Sequence, residues 1–170
     1  DRLGKALKQL EPDLPDDLRR PTIESAQWAH SGCLVLVEAD LAATHPVTFQ
    51  RLLEAQRSGT KIIAADSRFT TTLSKADHAV LIEPNKGNEL GLALMKILLA
   101  EQLDTPEAAS QLKNYETWKD TYEQLAMENL SASVGLSAAE ISTLAQAVGR
   151  HQPAALITAK RLAFLPHHGI

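Results

Sequence analysis

Four short apolar runs punctuate the chain, at residues 33–37, 61–65, 79–82 and 154–157. None alternates apolar with polar positions, which is the pattern of a strand buried on both faces. Helical patterns separate them. Residues 46–58 set Val47, Phe49, Leu52 and Leu53 on one broad side, open on Pro46 and close on Gly59, the residues that suit the first helical position and the residue past the end. Residues 88–101 carry Leu90, Leu94, Ile97 and Leu98 at helical spacing, with Leu92, Met95 and Leu99 beside them, which predicts a heavily buried helix. Ser137-Ala138-Ala139-Glu140 is a capping-box sequence, followed by Ile141, Leu144, Ala145 and Val148 as one stripe. The polar stretch 105–130, with Leu112, Tyr115, Tyr122 and Leu125, predicts one or two amphipathic helices packed on one side. Residues 22–30 read as a helix entering the first strand. The opening segment to Arg20, interrupted by Pro12 and Pro15, reads as a short helix and a loop foreign to the main core. No low-complexity tract or internal repeat is evident.

Strand, helix, strand, strand, helices, strand is an α/β layout with a mostly parallel sheet. Ligands of such sheets sit beyond the carboxyl ends of the strands, where the strand order reverses. That rule selects four loops, at residues 38–45, 66–72, 84–89 and 160–169.

Composition narrows what those loops can do. The chain has 170 residues, 44% hydrophobic and 22% charged, which is enough to bury a core. Its formal charge of −4 is not that of a general nucleic-acid binder, and 4% aromatic content leaves few stacking platforms. No apolar run approaches a membrane span, and no secretory signal opens the chain, so a cytoplasmic location is expected. The single cysteine, Cys33, lies in a predicted strand and excludes an internal disulfide or a cysteine-only metal site in this chain. His167 and His168 have no carboxylate or cysteine nearby at ligand spacing, so no metal site is expected. No Ser-His-Asp or Cys-His arrangement stands out, and no catalytic residue is assigned.

The second loop reads Asp66-Ser67-Arg68-Phe69-Thr70-Thr71-Thr72. An acid at the end of a second strand is where dinucleotide folds accept hydrogen bonds from ribose hydroxyls, and an arginine fork suits phosphate or a base edge. The plainer reading is a loop whose Asp and Thr side chains bond their own backbone. The first loop, Glu38-Ala39-Asp40-Leu41-Ala42-Ala43-Thr44-His45, holds no glycine, which argues against close backbone contact with a pyrophosphate. His45, just before Pro46, is expected to cap the following helix. The third loop, Pro84-Asn85-Lys86-Gly87-Asn88-Glu89, combines a turn glycine with groups able to bond a base, in the composition of any αβ connection.

In this order, the loops resemble the molybdopterin oxidoreductase superfamily, the group of formate dehydrogenases, nitrate reductases and dimethyl sulfoxide reductase. The first loop and Pro46 stand for its G-x-N-P-A-E-x-H-P segment, and the run from Asp66 to Asp77 for its D-P-R-x-T-x-T-A-x-x-A-D run. Residues 84–89 loosely match its P-G-T-D loop. Val134-Gly135 with residues 138–147 resembles its G-V-x-x-x-x-I-x-x-L-A helix. The resemblance covers residues 22–170. It implies a three-layer Rossmann-like domain, with residues 1–21 as an extension, cut from or assembling with the remaining domains or subunits of a larger oxidoreductase. It further implies that the domain holds the guanosine part of molybdopterin guanine dinucleotide and is not catalytic alone. Asp40 would stand where the family has an asparagine near the nucleotide. Asp66, Ser67 and Arg68 would form the ribose- and guanine-contacting loop, and Asn88 or Glu89 would replace the acid that accepts guanine N–H groups.

There are departures. Glu38 and Asp40 replace glycine and asparagine and put two acids where a diphosphate should approach. Ser67 replaces proline, and neither iron–sulfur cysteines nor a molybdenum ligand is present. Two other readings therefore stand beside the first. One is a cofactor-free scaffold relative, like the molybdenum-free large subunit of respiratory complex I. The other is an unrelated α/β nucleotide-binding domain.

Overall fold

The computed structural model describes residues 24–103 and 115–158. The opening segment, residues 104–114 and the loop predicted at 160–169 lie outside the described residues. A 3-10 turn (Ser25–His30) leads into strand β1 (Cys33–Val37), the short helix α1 (Leu41–Thr44) and helix α2 (Pro46–Arg57). Strand β2 (Lys61–Asp66), a second 3-10 turn (Leu73–Lys75) and strand β3 (His78–Leu81) come next. Then come helices α3 (Gly87–Ala100), α4 (Tyr115–Gln124), α5 (Met127–Val134) and α6 (Ala138–Arg150), and finally strand β4 (Ala154–Thr158).

The four strands form one sheet in the order β3-β2-β1-β4, parallel throughout rather than mostly so. In the centre Val35 stands opposite Ile63 on one side and Leu156 on the other. Successive side chains of β1 point to opposite faces, and this splits the core in two. Cys33, Val35 and Val37 pack with Ile63, Leu90, Leu94, Ile141 and Leu144, under α3, α5 and α6. Leu34 and Leu36 pack with Trp28, Phe49, Leu52 and Ile62, under α2 and the first 3-10 turn. The result is a three-layer, Rossmann-like α/β domain.

Local chemistry sets the ends of the helices. The Ser137 hydroxyl accepts the Glu140 N–H at 3.3 Å while the Glu140 carboxylate accepts the Ser137 N–H at 2.9 Å, so two orphan donors are satisfied at the start of α6. Helix α5 stops at Gly135, whose φ of 78° is cheap only without a Cβ. Lys96 on α3 donates to the carbonyls of Tyr122 and Glu123, at 3.2 and 2.8 Å. Its charge thereby meets the carbonyl-bearing end of α4, which a cation stabilises.

Three expectations need correcting. Burial on both faces holds for β1 and β2 only, since Leu81 of β3 is 53% exposed and Leu156 of β4 is 67% exposed. Both strands are outermost among the described residues, and the helices cover the middle of the sheet. The helix expected at 22–30 is a 3-10 turn at Ser25–His30 that buries only Trp28. His45 occupies the cap position of α2 but makes no side-chain capping bond; its Nδ1 pairs with Thr44 Oγ1 at 2.9 Å instead.

Asp77 ties the start of β3 to its neighbours. Its Oδ2 accepts the Ile62 N–H at 2.9 Å and Gln56 Nε2 at 3.1 Å, and its Oδ1 accepts Lys61 Nζ at 3.1 Å. Burial works against ionisation, yet these hydrogen bonds and the Lys61 charge outweigh it and hold the carboxyl below its ordinary range. A group with a depressed folded pKa stabilises above its unfolded pKa, and that stabilisation is lost as pH falls through the folded value. Asp77→Asn is therefore expected to cost about 1 kcal/mol at pH 7 and less at about pH 3, where the carboxyl of the unfolded chain is already mostly protonated. Urea unfolding at the two pH values checks this; an equal difference at both would refute the ionic contribution.

Candidate functional site

Strand order reverses between β1 and β4, the position at which the rim of such a sheet opens. The loops after β1, β2 and β3 reach this rim. Residues 159–170, beyond the end of β4, lie outside the described residues.

The ladder continues one residue past β1, where the Glu38 N–H donates to the Ala65 carbonyl at 2.8 Å. Glu38 then turns with φ 50° and is 4% exposed. Its carboxylate points inward, and Oε1 accepts the backbone N–H of Asn85 at 3.0 Å, which joins the first loop to the third. Asp40 joins the first loop to the second. Its Oδ1 accepts the Thr72 hydroxyl at 2.9 Å, and the same hydroxyl oxygen accepts the Ala42 N–H at 2.9 Å. The two acids that stand in place of glycine and asparagine are thus hydrogen-bonded to the protein's own donors.

Asp66 ends β2 almost fully buried, with Oδ1 accepting the Arg68 N–H at 3.3 Å, and the Thr70 hydroxyl accepts the Leu73 N–H at 3.1 Å. The expectation that this loop bonds its own backbone holds for both residues. Ser67 is half-buried, while Arg68 and Phe69 are exposed. The Arg68 guanidinium makes no ion pair among the described residues. Asp66, Thr70 and Thr72 line a shallow open recess floored by Leu36 and Ala64.

The third loop is shorter than expected. Helix α3 begins at Gly87, so Asn88 and Glu89 sit in its first helical turn, both half-buried. Glu89 Oε1 accepts Lys86 Nζ at 2.7 Å across a partly exposed surface. The structure therefore joins Asp40 to the Asp66 loop, and joins the loop preceding Asn88 and Glu89 to the first loop. It makes no hydrogen bond between Arg68 and Glu89. Sequence reasoning missed the joining roles of Glu38, Asn85 and Thr72. The one signal for them was the asparagine in a turn, a residue that tolerates the φ of 62° found at Asn85. Cys33 is buried, and burial pushes its thiol up to about 11, which makes it a packing residue rather than a reactive one. Among the described residues no group of three His, Cys, Asp or Glu could hold a metal, and no helix is long and apolar enough to cross a membrane.

No family model matches the chain. Curated relatives and a solved structure do. The F420-dependent formate dehydrogenase 1 subunit alpha of Methanococcus maripaludis is 29% identical over 126 residues, covering 74% of this chain and 19% of the relative. A nitrate reductase of Shewanella frigidimarina is 28% identical over 123 residues, covering 70% of this chain and 13% of that protein. The acetylene hydratase from Pelobacter acetylenicus superposes with a TM-score of 0.70 over 93% of this chain and 28% of its own, at 17% identity, which is a likeness of fold. In sequence the chain is similar to members of the molybdopterin oxidoreductase superfamily. It spans less than a fifth of the length of either curated relative. The chain folds as a Rossmann-like domain, in which the acids at positions 38 and 40 serve as internal hydrogen-bond acceptors at the rim.

Proposed function

We propose that residues 22–170 are the domain that holds the guanosine part of molybdopterin guanine dinucleotide in a larger oxidoreductase, with residues 1–21 an extension and the parent's other domains or subunits completing the cofactor site. The observation that carries this reading is the state of the rim. The acids of the first loop are engaged with Asn85 and Thr72, while the Arg68 fork beside them stays exposed, with no ion pair among the described residues. A rim closed by its own ion pairs would have favoured a scaffold.

The donor set fits a nucleoside better than a diphosphate. Asp66 is an acceptor for ribose hydroxyls, Ser67 a hydroxyl partner, and Arg68 a planar fork for the acceptor edge of guanine. Glu89 accepts the paired N–H donors on the opposite edge, with Asn88 beside it and Lys86 paired with its carboxylate. Asp40 acts at one remove, by holding Thr72 and with it the second loop. The first loop has no glycine and presents carboxylates, so the diphosphate is left to other parts of the parent protein. When bound, the pterin end supplies the metal ligation and redox chemistry; this chain binds and orients the nucleoside and screens it from water.

Amide shifts during NMR titration with GMP and AMP test the reading. Saturable GMP shifts confined to residues 66–72 and 84–89 are expected. Arg68→Ala and Glu89→Ala should each weaken GMP about tenfold, the effect of losing roughly 1.4 kcal/mol of charge-assisted hydrogen bonding. Glu89→Ala should also erase the preference for GMP over AMP. Equal response to the two nucleotides, or none at millimolar concentration, would return the domain to the scaffold reading.

A further inference from the structure

We infer that Glu38 is a positioning residue of the nucleotide rim, one that fixes the approach of helix α3 by holding the loop before it. The inference rests on the nucleotide-binding reading above and deepens it. A carboxylate rarely lies 4% exposed, and a non-glycine residue rarely takes φ 50°. Glu38 does both, and its acceptor oxygen meets Asn85, another non-glycine residue with positive φ, at 62°. Two left-handed backbone conformations, 47 residues apart in sequence, are thus locked to one another by a charge-assisted hydrogen bond. Nothing in the hydrophobic core asks for this, since the ladder already ends with Glu38 N–H on Ala65.

The bond does one thing directly. It fixes the loop that delivers Asn88 and Glu89, the two residues assigned to the guanine edge, two residues before α3 begins. A loop ordered before the ligand arrives removes that ordering cost from binding. Glycine at position 38 would suit the backbone better but could not hold Asn85. The side chain, not the backbone, is therefore what position 38 contributes.

Two variants of the 170-residue chain separate these parts. Glu38→Gly accepts φ 50° without strain, so it folds, but it removes the acceptor; Glu38→Gln keeps an acceptor oxygen. Hydrogen exchange at the Asn85 amide and GMP affinity are read together, with the amides of Cys33–Val37 as the control. Glu38→Gly is expected to speed Asn85 exchange at least tenfold and weaken GMP about fivefold, with the β1 amides unchanged. Glu38→Gln should restore both to within about twofold of the original chain. Unchanged Asn85 exchange in the glycine variant, or faster exchange with unchanged GMP affinity, would overturn the positioning role and leave the nucleotide reading standing. Failure of the unmodified chain to bind GMP would instead sink the nucleotide reading, and the positioning role with it.

Discussion

Gly32→Ala is expected to cost the domain about 3–5 kcal/mol, close to the whole stability of a marginal fold. Gly32 lies just before β1, where the chain from α6 passes before entering β4. A Cβ built there would sit 2.5 Å from the Gln152 carbonyl oxygen and closer still to that of His151. Both are backbone atoms, so no rotamer change can relieve the overlap. The residue is also held from two sides: its N–H donates to the Pro153 carbonyl at 2.8 Å, and its own carbonyl accepts the Lys61 N–H at 3.0 Å. Relief requires moving β4 away from β1, and with it the pairs from Cys33–Ala154 to Val37–Thr158. Urea unfolding followed by far-ultraviolet circular dichroism reads the loss as a lower midpoint. An unfolding free energy within about 0.5 kcal/mol of the original would mean that the two segments yield easily, contrary to the geometry.

The second large effect is expected from Leu36→Ala, at about 2–5 kcal/mol. Leu36 is 1% exposed on the central strand and packs with Leu34, Leu52 and Ile62 in the layer beneath α2. Truncation forfeits the burial of its outer carbons and leaves a cavity that β1, hydrogen-bonded on both edges, cannot collapse into. It also floors the recess lined by Asp66, Thr70 and Thr72, so a loss of nucleotide affinity should accompany the loss of stability. Val35→Ala, which empties the opposite layer, should lower stability without that loss. Guanidinium unfolding and GMP titration of the two variants, both kept well below their midpoints, separate the effects. Equal affinities in the two would detach the recess from the site.

Much of the fold was legible from pattern alone, because the strands are short apolar runs and the helices carry clean stripes. Strand positions agree with expectation to within one residue at either end, and the Ser137–Glu140 box starts α6 as written. What pattern could not reveal was which strands lie outermost. Leu81 and Leu156 look no different in sequence from Leu34 and Leu36, and an apolar run does not say how much of it a neighbouring layer covers. The rim was legible in composition and not in connection. Asp66 with its threonines marked the loop, but the bonds that shape the rim, Asp40 to Thr72 and Glu38 to Asn85, join residues 32 and 47 positions apart. No local rule links such pairs. The two substituted acids looked like obstacles to a ligand because a lone sequence does not show which carboxylates are already engaged. The boundary of α3 moved for a related reason. Gly87, read as a turn residue, begins the helix one residue before the expected start at Asn88.

The sheet order has a consequence for how the chain is made. The central strand β1 finds one neighbour in β2, about 30 residues downstream, but the other, β4, is encoded about 120 residues downstream, a separation that makes late pairing slow. At ordinary translation speeds of roughly 5–20 residues per second, one edge of β1 waits about 6–24 seconds beside the ribosome with its N–H and C=O groups unanswered. Throughout that interval Cys33 to Val37, the most completely buried strand of the finished domain, is the segment most in need of a chaperone's cover.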